Sequence, residues 1–193
     1  TTFVEDYFST PDAWPVKTAA ARVLSSLNSW LYQHGQSGSA RHNGLVTTFS
    51  AVVFKSTTAH ILHVGDSRLY RYRSHSFGAD FEQLSRDHCH QQGGDKAFLT
   101  RALGMDSHLE VDYQQEDLQV GDVFLLSTDG VHDALPNATL KAFLARACEL
   151  PHENSQQSSQ LETLCGEMGE AALAQGSEDN ISALIIRVVN LPD

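Results

Sequence analysis

Three times in this chain a run of strand-forming apolar residues meets an aspartate beside a small or polar neighbour. In ILHVGDSR the aspartate is Asp66, after Val64-Gly65. In LLSTDGVHD the carboxylates are Asp129 and Asp133, after Leu125-Leu126. In GSEDNISALII it is Asp179, just ahead of the final apolar run. Strands that neighbour one another in a sheet bring their ends together, so this repetition predicts one cluster of carboxylates. Two like charges 4 Å apart repel by about 4 kcal/mol at an effective dielectric near 20. A cluster of this kind needs protons or cations to hold it. Oxygen donors without cysteine or histidine among them select Mg²⁺ or Mn²⁺ over zinc. Gly130 fits the same picture, because it lets the backbone turn closely and presents a carbonyl to a metal or its water. The competing reading of each motif alone is a turn: Asp-Gly and Asp-Ser are ordinary turn pairs, and Asp133 suits the positive end of a helix.

The rest of the pattern sets the frame. Val16, Ala20, Val23, Leu24, Leu27, Trp30 and Leu31 recur at helical spacing, which predicts an amphipathic helix from Pro15 to His34. Phe3, Tyr7 and Phe8 have helical spacing too. A glycine-rich loop is expected over residues 35–44. LVTTFSAVVFK, AHILHVG and RLYRYR, parted by short polar breaks, read as a meander of antiparallel strands, with another short strand at Phe81–Leu84. Residues 86–103 read as loop with helical pieces around Gly93-Gly94, HLEVDYQ as a half-buried strand, and residues 122–128 as the next strand. Two helices follow, one carrying Leu140, Phe143, Leu144 and Ala147, the other Leu161, Leu164, Met168, Ala171 and Ala172. Ser155–Gln160 starts or precedes the second. The last strand, residues 180–189, reads as buried on both faces through Ala183–Ile186. Helix, strands, two helices and a strand, without a repeat or linker, predict one α+β domain.

Charge and cysteines narrow the partners. Acidic residues outnumber basic ones 24 to 13, which argues against nucleic acid or an anionic membrane. Three cysteines, Cys89, Cys148 and Cys165, without a CxxC pair, suggest neither a disulfide framework nor a zinc knuckle and point to a reducing, cytoplasmic setting. No apolar run reaches the length of a membrane span. Of ten histidines the closest pair is His88 and His90, whose spacing suits a strand-borne metal site although the neighbours read as loop. His132 lies between Asp129 and Asp133, where it either approaches the site or fills a surface position.

With these residues in view, GLVTTFSAVVF resembles the Gly…Thr-Thr strand of the metal-dependent protein phosphatase 2C family. HVGDSRLYRYR resembles its Gly-Asp-Ser-Arg strand pair, QLSRDH its Thr/Ser-x-Asp-His segment and LTRALG its Ser-Arg-Ala-Leu-Gly segment. LLSTDGVHD is similar to its Asp-Gly-x-x-Asp motif, and GSEDNISALII to its Asp-Asn-x-Ser/Thr strand. Six motifs in the family's order span residues 44–186, and the short inserts are most like those of bacterial members, including members fused to a serine/threonine kinase domain. The resemblance implies an antiparallel β-sandwich flanked by helices on both sides. It implies hydrolysis of phosphoserine or phosphothreonine in signalling proteins, through a water bridging two Mg²⁺ or Mn²⁺ ions and with no covalent intermediate. Asp129 and Asp179 match ligands of that metal pair. Asp66, Asp133 and Asp129 match positions around a third, weaker metal. No residue is assigned a covalent catalytic role.

The chain departs from the family at its start. The family's early Asp-Gly-x-Gly-Gly motif, whose aspartate bridges both metals, is not found, nor is an upstream phosphate-holding arginine. Before Gly44 the acidic residues are Glu5, Asp6 and Asp12, and none precedes glycine. Residues 1–193 therefore read as a single phosphatase-like domain lacking its first strands and first metal motif, which is weak or inactive alone. The alternative is a catalytically inactive pseudophosphatase or regulatory binding module of the same fold. Arg68 and Arg101 are expected to serve structural pairing. An aspartate-nucleophile phosphatase would need an Asp-x-Asp pair, which STDGVHD lacks.

Overall fold

Each half of the fold is organised by an apolar core among the described residues. The computed structural model describes residues 2–36, 44–91, 97–151 and 157–192. The backbone divides into two units, residues 1–66 with 87–116, and residues 67–86 with 117–193.

In the first unit, α1 (Thr2–Phe8) and α2 (Val16–Gln36) accompany a sheet of order β1-β2-β7, formed by β1 (Phe49–Lys55), β2 (Thr58–Val64) and β7 (Asp112–Asp117). β1 and β2 pair antiparallel, with Phe49 opposite Val64 and Lys55 opposite Thr58. Ala20 and Leu24 of α2 pack with Leu62, Val64 and Leu103, and Phe49, Ala51 and Val53 close over them. The helical stripe is shifted from the one expected: Trp30 is exposed and stacks on His34, whereas Asn28 is buried. Asn28 lies one turn beyond Leu24, on the same face. Its carboxamide accepts from the Gly104 amide at 2.8 Å and donates to the Asp106 carbonyl at 2.9 Å, so it fixes a turn. A short hairpin, β5 (Cys89–Gln91) with β6 (Ala97–Leu99), stands where loop and helix were expected; Gly93-Gly94 lie outside the described residues, as do 37–43 of the glycine-rich loop and 152–156. The strand anticipated at residues 108–114 enters the sheet only at Asp112, although Leu109, Val111 and Tyr113 do pack on the core as their alternation predicts.

The second unit has a sheet of order β4-β3-β8-β9, built from β3 (Arg68–His75), β4 (Gly78–Gln83), β8 (Val123–Ser127) and β9 (Ala183–Arg187), with α3 (Asp129–His132), α4 (Asn137–Glu149) and α5 (Gln157–Ala174). β3 pairs antiparallel with β4 and β8, and β8 with β9. Tyr70, Tyr72, Val123, Leu125 and Ile185 meet Leu140, Leu144, Leu164 and Met168 in one core. The expected meander therefore breaks after β2, since β2 and β3 belong to different sheets. The break falls at Gly65, whose φ of +116° suits a residue without Cβ. β9 is an edge strand, and this corrects its reading as buried on both faces: Leu184 is 54% exposed while Ile185 is buried.

The architecture is α+β, antiparallel sheets with helices, as the motif order implied. All three cysteines are free thiols. Among the described residues no helix is long and apolar enough to cross a membrane.

Candidate active site

The site forms at one end of the second sheet. Ser127 closes β8 opposite Ala183, which opens β9. The chain leaving β8 and the chain arriving at β9 therefore emerge side by side. Thr128 joins them: its amide donates to the Ser182 carbonyl at 3.1 Å, its hydroxyl donates to the Asn180 carbonyl at 3.0 Å, and that same oxygen accepts from the Ser182 amide at 3.0 Å. This explains why Thr128, in the N-cap position of α3, makes no side-chain cap.

Gly130 is the closest approach. A Cβ there would lie 2.5 Å from the Asn180 carbonyl oxygen and 3.0 Å from its carbon. The glycine is thus needed for the Asp179-Asn180 backbone to lie against α3. The Asp129 carbonyl accepts from the Asp133 amide at 2.9 Å, and the Gly130 carbonyl accepts from the Ser177 hydroxyl at 2.7 Å. Ser177 is presented by the end of α5, where Gly176 at φ +89° donates to the Leu173 carbonyl and the Ser177 amide to that of Ala172. That pair of bonds is the Schellman arrangement that glycine permits.

Asp129, Asp133 and Asp179 line one cleft of about 400 Å³ with Gly130, Ser177 and Glu178. The two aspartates flanking the glycine contact are held alike. One oxygen of Asp129 accepts from the Gly130 amide at 2.9 Å, and one oxygen of Asp179 from the Asn180 amide at 2.7 Å. Each bond fixes the carboxylate's direction and leaves the second oxygen for another partner. Among the described residues, four carboxylates and no lysine, arginine or histidine line the cleft. Its field is negative and its donors are hard oxygens, the chemistry that suits Mg²⁺ or Mn²⁺. Among the described residues no three such side chains come near enough to hold a metal by themselves. Mg²⁺ commonly keeps several waters and takes only one or two carboxylates, so the donor set fits an ion of that kind.

Asp66 lies in the first unit, just past the end of β2, with the Cys89 thiol 3.8 Å from its Oδ2. His132 neither lines the cleft nor fills a surface position; it is buried, with Nδ1 3.0 Å from the Ser127 hydroxyl. His88 is buried and bonded within the protein, to the Gly65 amide and Asp112. Arg101 pairs with Asp112 at 2.9 Å, the structural role expected of it. Sequence reasoning missed Thr128, Ser177 and Glu178. Glu178 was readable as a further carboxylate beside Asp179. The hydroxyl contacts of Thr128 and Ser177 depend on which strands are neighbours, and spacing does not report that.

The fold and the acidic cleft define a protein of the phosphatase 2C-like class. The chain belongs to the Stage II sporulation protein E (SpoIIE) family, whose model matches residues 13–189. The serine/threonine phosphatase Stp of Listeria monocytogenes is 27% identical over 200 residues, covering 91% of this chain and 73% of that protein. Among solved structures, PppA of Pseudomonas aeruginosa, described as a key regulatory component of T6SS, superposes with a TM-score of 0.75 at 26% identity, covering 96% of this chain and 77% of that one. The catalytic domain of the serine/threonine phosphatase PstP, in complex with two manganese ions, gives 0.74 at 20% identity over 98% of this chain and 78% of that one.

Proposed function

We propose that the chain is a metal-dependent serine/threonine protein phosphatase domain that hydrolyses phosphoserine or phosphothreonine with Mg²⁺ or Mn²⁺. The observation that carries the reading is the cleft: Asp129, Asp133, Glu178 and Asp179 share it, and among the described residues no cationic side chain lines it. Relatives named serine/threonine phosphatases share most of the chain's length. Asp129 and Asp179 would hold the metal, each aimed by the amide that follows it. Asp133 in the second unit and Asp66 in the first would each be a ligand for a weaker ion, and Gly130 brings the Asp179 loop close and would offer its backbone to a metal or its water. When bound, the metal supplies an acidified water and positive charge against the phosphoryl oxygens. The protein's part is to fix the carboxylates and keep the α3–Asn180 contact rigid. The substrate is a phosphoprotein; nucleic acid is disfavoured by the net charge of −11. The free thiols support a cytoplasmic setting, and a kinase domain in the same parent protein would provide a source of phosphorylated substrate.

A second reading, a regulatory module of the same fold without turnover, is favoured by one observation: among the described residues, no three side chains of the metal-binding types converge. The test is phosphate release from a phosphothreonine peptide by the full-length protein, with and without Mn²⁺. Turnover that requires the metal and disappears in Asp179→Ala supports the enzyme. Mn²⁺ binding without phosphate release assigns the binding module.

A further inference from the structure

The first unit buries two histidines, His63 at 1% and His88 at 3% exposure, and each uses one ring nitrogen on the backbone of one residue, Gly65. The Gly65 amide donates to His88 Nδ1 at 3.1 Å. An amide can only donate, so Nδ1 carries no proton and the ring proton sits on Nε2. Nε2 then donates to Asp112 Oδ2 at 3.0 Å, and the other Asp112 oxygen takes Arg101 at 2.9 Å. From the opposite side His63 Nε2 lies 3.1 Å from the Gly65 carbonyl, which can only accept, so His63 donates there. His63 Nδ1 then takes the Ser50 hydroxyl at 2.8 Å. The Gly65 carbonyl also accepts from the His88 amide at 2.8 Å. The two rings stand 4.9 Å apart, centroid to centroid.

Burying two imidazoles costs free energy unless their polar atoms are used. Here they grip a single residue in a left-handed conformation, and the next residue is Asp66. A Cβ at Gly65 would also strike the Thr48 side chain at 2.4 Å. The direction in which the chain leaves β2, immediately ahead of Asp66, is therefore fixed by the pair of rings.

We propose that His63 and His88 are positioning residues for Asp66, with Asp112 and Arg101 fixing the His88 tautomer and Ser50 that of His63. The proposal rests on Asp66 serving as a metal ligand. The chemistry predicts a crossed pattern among conservative variants. An asparagine carboxamide occupies roughly the place of histidine Nδ1 and a glutamine carboxamide that of Nε2. His88→Asn retains the acceptor for the Gly65 amide, and His88→Gln misplaces it. His63→Gln retains the donor to the Gly65 carbonyl, and His63→Asn withdraws it.

The experiment is calorimetric titration of the protein with MnCl₂, alongside thermal unfolding of each variant. Asp66→Ala defines the binding component that depends on Asp66. The expected result is that His88→Gln and His63→Asn weaken this component about tenfold, the usual effect of losing a group that orients a ligand. His88→Asn and His63→Gln stay within about twofold of the parent. If Asp66→Ala weakens Mn²⁺ binding but the four histidine variants do not cross, or merely follow their melting temperatures, the positioning role is overturned. If Asp66→Ala changes nothing, the ligand role of Asp66 fails first and the proposal with it.

Discussion

Substituting Gly130 by alanine sets two effects of known sign against each other. Gly130 sits in α3 without a left-handed φ, so alanine there gains helix propensity of about 1 kcal/mol. The new Cβ, however, would stand 2.5 Å from the Asn180 carbonyl oxygen, about 0.9 Å inside ordinary contact at 3.4 Å. The obstacle is backbone, held by Thr128 through its hydroxyl, and it cannot rotate away as a side chain does. Forcing apart packed groups of this kind costs about 1–3 kcal/mol. The net expectation is a loss of about 1 kcal/mol, or about 2–4 °C in melting temperature for a chain of this size. Displacing Asn180 also displaces Asp179, so Mn²⁺ affinity should fall by more than the stability loss accounts for. Differential scanning calorimetry and Mn²⁺ titration of Gly130→Ala read both. A variant that melts higher than the parent and binds Mn²⁺ equally well would refute the close-approach argument.

Other outcomes follow from the same contacts. Asp122→Ala should destabilise by about 3–5 kcal/mol in denaturant unfolding, because the buried carboxylate holds Arg73 at 2.6 Å and accepts the Gln119 amide. Thr128→Val should cost about 0.5–1.5 kcal/mol, the net worth of an exposed hydrogen bond, since the Ser182 amide loses its acceptor to water. Burial opposes ionisation of Asp112, but the hydrogen bonds from His88 and Arg101 outweigh it and hold the carboxyl below the usual carboxylate range. Its contribution to stability is therefore present above the ordinary carboxylate pKa of about 4 and lost as pH falls through the lowered folded value. Asp112→Asn should flatten that acid limb in unfolding curves taken across it, and an unchanged limb would deny Asp112 the role.

What the sequence disclosed and what it hid divide along a physical line. Strand runs ending in aspartate were readable because alternation and β-branching are local, and they led to Asp129, Asp133 and Asp179, which share one cleft. The helix faces of α4 and α5 were readable for the same reason. The change of sheet after β2 was hidden, because a hairpin and a crossing between sheets use the same short polar break. Asn28 was passed over and the burial of His88 went unforeseen, since a polar residue on a buried face is recognised only by its distant partner, Gly104 for one and Gly65 for the other. Gly130 was singled out for exposing a carbonyl, whereas the structure shows that its missing Cβ admits the backbone of the segment leading into β9.

The central claim is that Asp129 and Asp179 together hold a divalent cation. Asp129→Asn and Asp179→Asn keep an oxygen for the amides of Gly130 and Asn180 and remove only the charge. Calorimetric titration of each with MnCl₂ should show affinity reduced by more than about tenfold, a loss above about 1.4 kcal/mol of binding free energy, with the melting temperature of the metal-free protein nearly unchanged. Mn²⁺ affinity equal to that of the parent in both variants would contradict the claim.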